Sequence, residues 1–169
     1  VGDAQRAPSF RVAVELGESA DEANYVDQIA VLETNLDDAT PQIVGHCMEK
    51  LMAAGALDVY VVPIHMKKWR SGVLLTVLCT LEQSATMERI LFTETPTFGI
   101  RARIVRRLIM KRRLEMVATT FGDIRMKVGE REGVVTASPE FEDCRAAALK
   151  HGVALREVIA AANAAWARR

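Results

Sequence analysis

Glu33-Thr34-Asn35-Leu36-Asp37-Asp38 and, thirty residues on, His65-Met66-Lys67-Lys68-Trp69-Arg70-Ser71-Gly72 enclose the segment whose reading decides the fold. Between them, Thr40-Pro41 is a helix start, a hydroxyl cap followed by proline where its missing N–H does no harm. Ile43, Val44, Cys47, Met48, Leu51 and Met52 then recur once per turn on one face, and Gly55 supplies a left-handed stop. Leu57 to Ile64 is apolar and β-branched and is expected to be a strand buried on both faces. His65 to Gly72 connects it to a second apolar run, Val73 to Thr80. Working outward, Gln28 to Thr34 carries Ile29, Val31 and Leu32 and reads as a strand. Ser84 to Glu94 reads as a helix with Met87, Ile90 and Leu91 inward. From Phe98 to Val105 the chain alternates, with Ile100, Ala102 and Ile104 on one side and Arg101 and Arg103 on the other. The order β-α-β-β-α-β over residues 29–107 is that of a ferredoxin-like core, a four-stranded antiparallel sheet with two helices on one face.

Residues 108–169 read as a β/α extension packed on the same body. Leu114 to Thr119 and Ile124 to Val128 flank a hairpin turn at Thr120-Phe121-Gly122-Asp123. Glu130 to Gly133 turns into a short strand at Val134-Val135-Thr136. Ser138-Pro139 repeats the cap-then-proline pattern and is expected to open a helix that Lys150-His151-Gly152 closes. A last helix from about Ala154 carries Leu155, Val158, Ile159, Ala162 and Trp166. The class is α+β: a ferredoxin-like core followed by a β-hairpin layer and two C-terminal helices. Residues 1–28 read as a linker or the end of a preceding domain, flexible over 1–9, with a strand at Phe10 to Leu16 ending at Gly17 and a polar loop from Glu18 to Asn24. The chain opens on Val1, and we expect it to be a piece of a longer protein.

The 169 residues, 50% hydrophobic and 26% charged, suit a globular chain with a real core. The formal net charge of zero conceals an uneven distribution: residues 1–40 hold nine acidic against two basic residues, and residues 65–113 hold eleven basic against three acidic. Such a basic middle can meet phosphates or the acidic segment. Cys47, Cys79 and Cys144 are scattered, with no zinc or disulfide spacing, which points to a reducing cytoplasm. No apolar run is long enough to span a bilayer, and no signal peptide is visible, so no membrane is expected.

Asn35, Asp37 and Asp38 stand where a strand feeds a helix. Clustered oxygens there can hold Mg²⁺ or Mn²⁺ together with waters and phosphates, or can simply favour the helix dipole. Lys67, Lys68 and Arg70 can present a fork and point charges to a triphosphate, or form a solvated hairpin tip. The apolar strands on either side concentrate the charge in this loop, and the absence of a Walker pattern excludes a P-loop. Arg101 and Arg103 on one strand face can clamp phosphates or pair with glutamate or a neighbouring subunit. Thr95 and Thr97 lie just before them, with hydroxyls able to face the same ligand. His65 adjoins the basic loop, whereas His46-Cys47 reads as packing. Glu140, Glu142 and Asp143 suit a helix start and need no other role.

Beyond these readings, Glu33-Thr34-Asn35-Leu36-Asp37-Asp38, Gly55-Ala56-Leu57-Asp58-Val59, Met66-Lys67-Lys68, and Glu94-Thr95 with Gly99-Ile100-Arg101 resemble the C-terminal domain of the LarC family of nickel-insertion proteins. So do Pro139-Glu140-Phe141-Glu142-Asp143-Cys144 and Leu155-Arg156-Glu157-Val158, all in the family's order from about residue 30 to about residue 160. The resemblance implies a CTP-dependent cyclometallase, a nickel chelatase of the lyase class. It would insert Ni²⁺ into a pyridinium bis-thiocarboxylate mononucleotide to make the nickel-pincer nucleotide cofactor of lactate racemase. It further implies that this part binds CTP with Mg²⁺ or Mn²⁺, works with an N-terminal domain of the same protein, and forms trimers or hexamers. On that reading Lys67, Lys68, Arg70, Thr95, Thr97, Arg101 and Arg103 meet the CTP phosphates and Asn35, Asp37 and Asp38 the divalent ion. The family usually has Gly-Arg-Pro-Gly after the paired lysines, where this chain has Trp69-Arg70-Ser71-Gly72, and threonine where Pro96 stands.

Two other readings compete with this one. A nucleic-acid module would need exposed aromatics on its central strands, and these offer only Tyr60. A non-catalytic oligomerisation domain would show no nucleotide-dependent change in melting temperature. On either reading Leu57, Val59, Val61, Leu74, Thr76 and Leu78 cannot all lie under the same two helices, so the opposite face must be covered by the C-terminal segment or by another subunit.

Overall fold

The computed structural model describes residues 26–169, so the strand expected at Phe10 to Leu16 and the loop at Glu18 to Asn24 lie outside the described residues. The element order is β1 (Val26–Leu36), α1 (Pro41–Ala53), β2 (Asp58–His65), β3 (Ser71–Cys79), α2 (Ser84–Glu94), β4 (Arg101–Leu108), β5 (Lys111–Thr119), β6 (Gly122–Arg131), β7 (Val134–Pro139), α3 (Phe141–His151) and α4 (Leu155–Ala167). The first four strands form one antiparallel sheet in the order β2-β3-β1-β4, the ferredoxin-like arrangement the sequence predicts, and β5-β6-β7 form a second.

The helix boundaries follow from local chemistry. Thr40 Oγ1 accepts the Ile43 N–H at 3.3 Å, with Pro41 as the first helical residue of α1. Gly55 follows at φ 94°, a conformation that favours glycine, and a β-carbon there would only displace the end of the Gln83 side chain, 2.6 Å away at Nε2. Gly152, at φ 65°, ends α3 in the same left-handed manner.

Alternation sends Ala30, Leu32 and Leu36 of β1 and Leu75, Val77 and Cys79 of β3 under the helices. They meet Val44, Cys47 and Leu51 of α1 and Met87 and Leu91 of α2 in one core. A second core joins Val117, Ile124, Met126 and Val128 to Cys144, Ala147 and Ala148 of α3 and Val158 and Ala162 of α4. No buried residue belongs to both cores.

Two expectations fail. The Leu57 to Ile64 run is not buried on both faces. It forms the edge strand β2, and Tyr60, Val61 and Val62 are each at least a third exposed, because among the described residues only β3 flanks it and only Val59 of the strand joins the buried core under the helices. The central strands β1 and β3 take that role instead. Ser138-Pro139 does not open a helix. Both residues finish β7, with Pro139 opposite Met126, and α3 starts at Phe141 behind Glu140, which makes no side-chain cap. Proline is tolerated there because β7 is an edge strand whose outer side needs no donor.

Candidate functional site

The ends of β1, β2 and α2 and the beginnings of β3 and β4 bring most of the expected residues to one edge of the four-stranded sheet. Glu33 and Asn35 point to the face without helices, since their neighbours Leu32, Thr34 and Leu36 are buried on the helix side. In the β1–β4 ladder Glu33 lies opposite Arg101 and Val31 opposite Arg103, which places both arginines on the same face. Arg103 forks onto Glu33, donating from Nη1 at 3.2 Å and Nη2 at 3.1 Å. Arg101 donates from Nη2 to Asn35 Oδ1 at 2.6 Å, with its Nε 3.7 Å from Glu33. From the neighbouring hairpin, Arg70 Nη1 donates to Asp37 Oδ2 at 3.2 Å.

The hairpin closes through backbone pairs. His65 pairs with Ser71, the Met66 N–H donates to the Arg70 carbonyl at 2.8 Å, and Lys67–Trp69 make one 3₁₀ turn. Lys68 and Trp69 both adopt φ 60°, a conformation that costs non-glycine residues roughly 1–2 kcal/mol each. Trp69 is 91% exposed. At the hairpin base, a β-carbon on Gly72 would lie 2.5 Å from the Leu36 carbonyl oxygen and 3.3 Å from Asp37 Cα. The basic loop therefore rests directly on the acidic turn, and only glycine allows that approach.

Thr95 and Thr97 are engaged within the chain. The Thr95 hydroxyl donates to the Leu91 carbonyl at 2.7 Å and closes α2, and its oxygen accepts the Thr97 N–H at 3.3 Å. Thr97 Oγ1 lies 2.5 Å from Thr34 Oγ1 and donates to the Gly99 carbonyl at 2.9 Å, which pins the loop to β1. Asp38 is exposed at the foot of α1. Lys67 and Lys68 make no hydrogen bond or ion pair among the described residues and point their charge to solvent. His65 is exposed beside them, while His46 lies 3.4 Å from Glu94 and Cys47 is fully buried in the core. A hydrogen bond from Lys50, helped by His46, holds the Glu94 carboxyl below its usual range, and burial pushes the Cys47 thiol up to about 11. All three cysteines are free and buried.

Glu33 stands in the acidic turn of the sequence without a role of its own there, and in the structure it holds Arg103. Its signal was the two-residue spacing to Asn35, which on a strand puts both on one face. No group of three or more His, Cys, Asp or Glu side chains among the described residues could hold a metal ion. Asn35, Asp37 and Asp38 offer two carboxylates and an amide, hard oxygen donors that suit Mg²⁺ or Mn²⁺ when phosphate and water complete the shell. None of the described helices is long and apolar enough to cross a membrane.

Comparison with known proteins fits this geometry. The nickel insertion protein family model matches residues 2–159. A putative nickel insertion protein of Gloeobacter violaceus is 47% identical over 142 residues, covering 83% of this chain and 34% of that protein. The pyridinium-3,5-bisthiocarboxylic acid mononucleotide nickel insertion protein of Acetivibrio thermocellus is 42% identical over 150 residues, covering 89% of this chain and 37% of that protein. The chain thus spans about a third of the length of the curated relatives it matches. Among solved structures, it is similar to LarC2, described as the C-terminal domain of a cyclometallase involved in the synthesis of the NPN cofactor of lactate racemase. The TM-score is 0.80 at 36% identity, covering 83% of this chain and 97% of that one. Protein MK0293 of Methanopyrus kandleri superposes with a TM-score of 0.59 at 28% identity, covering 83% of this chain and 89% of its own. With the fold, the ordered blocks and the family match in agreement, the chain belongs to the nickel insertion protein family.

Proposed function

We propose that this chain is the nucleotide-binding part of an enzyme that inserts Ni²⁺ into pyridinium-3,5-bisthiocarboxylic acid mononucleotide, a CTP-dependent cyclometallase of the lyase class. The supporting observation is the three-arginine edge, in which Arg70, Arg101 and Arg103 are held in place by Asp37, Asn35 and Glu33. Carboxylate and phosphate oxygens suit the same guanidinium fork, so an entering triphosphate can take over these arginines without rebuilding the site. Lys67 and Lys68, unpaired at the hairpin tip, add mobile point charge.

As the arginines turn to phosphate, Asp37 is released, and Asp37 and Asp38 with Asn35 would hold Mg²⁺ or Mn²⁺. A divalent ion there would neutralise charge on the phosphate oxygens. No nucleophile–base pair stands in this edge, and its contribution is positioning and electrostatic stabilisation. Thr95 and Thr97 support the edge through the loop that carries Gly99 to Arg101. Ni²⁺ is cargo, and the relatives' additional length supports a further domain of the same protein as the partner that helps deliver it. We place the protein in the cytoplasm, with residues 29–107 as the nucleotide-binding core and 108–169 as its extension. The half-exposed Tyr60 and Val62 support assembly into trimers that pair as hexamers.

A thermal-shift comparison tests the reading. CTP with Mg²⁺ at about 100 times its dissociation constant should add about 2.7 kcal/mol, and EDTA should remove most of that gain. Equal shifts with CTP, ATP, GTP and UTP would reduce the edge to a generic phosphate site.

A further inference from the structure

On the proposed reading, a phosphate that takes over Arg101 and Arg103 frees Asp37 and Asn35 for a divalent ion, but it strands Glu33. The Glu33 side chain is only 14% exposed, accepts both prongs of the Arg103 fork and has Arg101 Nε 3.7 Å away. Without those arginines it would be a nearly buried carboxylate, short of donors and close to negative phosphates, which is strongly unfavourable. It then needs another donor.

On the face without helices, one row of residues crosses all four strands. Tyr60 of β2 lies opposite Thr76 of β3, Thr76 opposite Glu33 of β1, and Glu33 opposite Arg101 of β4. Thr76 belongs to this face because its neighbours Leu75 and Val77 enter the core under the helices. Its side chain is fully buried, and its Oγ1 is the one buried side-chain polar atom among the described residues without a hydrogen-bond partner. The other buried threonines are satisfied: Thr34 Oγ1 donates to the Gly99 carbonyl at 3.1 Å and Thr95 Oγ1 to the Leu91 carbonyl at 2.7 Å. Valine has nearly the same shape and needs no partner, so packing alone does not call for a hydroxyl at position 76.

We propose that Thr76 is a positioning residue of the arginine edge, its hydroxyl taking up the Glu33 carboxylate when the arginines turn to an anionic ligand. The proposal rests on the reading of this edge as a phosphate site. Residues directly opposite each other on antiparallel strands have β-carbons about 4.5–5.5 Å apart, so the Glu33 carboxylate can reach Oγ1 by rotating its own side chain. Thr76 donates, a Glu33 oxygen accepts, and the charge on the acceptor strengthens the bond. Being neutral, the hydroxyl holds the carboxylate without adding a cation that would compete for the phosphate. The two arrangements of the edge differ in one exchange: Glu33 on Arg103, or Glu33 on Thr76 with the arginines on phosphate.

The test is calorimetric titration of the 169-residue chain and its T76V, T76S and E33Q variants with CTP and Mg²⁺, with thermal melts on the same samples. Without nucleotide, T76V should melt at or above the wild-type temperature, because it loses a buried donor that has no partner there. The same variant should bind CTP at least about fivefold more weakly. T76S keeps the hydroxyl and should bind within about twofold of the wild type, although the lost methyl lowers its melting temperature. In the E33Q background T76V should change affinity by less than about twofold, since no carboxylate remains to be held. Wild-type affinity in T76V, affinity and melting temperature falling together, equal weakening in T76S, or an undiminished loss in E33Q would each overturn the role and leave the phosphate site standing. No binding of CTP by the wild type would overturn the phosphate site and this role with it.

Discussion

Among the described residues the two sheets are built alike, each with two helices on one face and none on the other, yet they hold Arg101 and Arg125 differently. In the second sheet Arg113 meets strand carboxylates, Glu115 and Glu130, but Arg125 is held from a helix. Asp143 of α3 takes the Arg125 backbone N–H at 3.0 Å and its side chain from Nε at 2.8 Å and Nη2 at 2.7 Å, and Glu140 takes Lys127. The Asp143 bonds join β6 to the helix layer. In the first sheet, Glu33 and Asn35 sit on the strand next to the arginines they meet, and Asp37 lies in the turn against which the Arg70 hairpin already packs. Bonds between elements already paired through their backbones add little to stability. On the proposed reading, they hold guanidinium groups in position for an entering phosphate to take over. The contrast separates ion pairs that fasten a fold from ion pairs that keep a site loaded.

The largest expected effect concerns the bare faces. Tyr60 and Val62 are half-exposed on the first sheet, and Leu114 and Met116 are half-exposed on the second. We expect V62E to reduce the assembly to a monomer, because it places charge in the apolar face that would pack between copies, and M116E to stop it at the trimer. Light scattering coupled to gel filtration reads both masses. A monomeric wild type, or equal masses for the two variants, would remove the distinction between the faces.

Next in size is the arginine contrast itself. R101A should weaken CTP binding by about 1.5–3 kcal/mol, the value of a charge-assisted contact, with little change in melting temperature. R125A should do the reverse, lowering the melting temperature with wild-type CTP affinity. Calorimetry and thermal melts on the same two samples decide the matter, and matching profiles would mean that both clusters are structural.

The smallest effect is the acid response. A hydrogen bond from Arg125 holds Asp143 below its ordinary value of 3.8, and one from Arg107 does the same for Asp27. Each carboxylate therefore contributes fully above that ordinary value, and the contribution is lost as pH falls through the depressed one. D143N should flatten the acid arm of a melting-temperature profile between pH 5 and 2, by about 1 kcal/mol or less. D27N should flatten it less, because the Asp27 side chain is 35% exposed against 19% for Asp143. An equal response from both would show that solvent screening does not separate them.

Much of this was legible from residue type and spacing. The helix caps at Thr40 and Gly55, the alternation of Arg101 and Arg103 with Ile100, Ala102 and Ile104, and the hairpin at Thr120-Phe121 each act within a few residues, so the chain declares them locally. The failures were non-local. An apolar run such as Leu57 to Ile64 reads the same at a sheet edge as at its centre, since strand order is set by which segments return beside it. Ser138-Pro139 carries a helix-start pattern, but pairing with Met126 and Lys127 extends the strand through it. In the site, charge type was visible in the sequence and partnership was not. Nothing in the spacing says that Arg70 reaches Asp37 or that Glu33 holds Arg103, because both depend on how the ladder is registered.

The contact between Gly72 and the Leu36 carbonyl has a further consequence for how such a protein can change. The anchor is backbone against backbone, so no side chain of the loop takes part in it. Residues from Lys67 to Arg70 can be exchanged, and the ligand they greet altered, while the loop stays moored to the acidic turn. On the proposed reading, recognition at this edge is a replaceable fitting on a fixed mount.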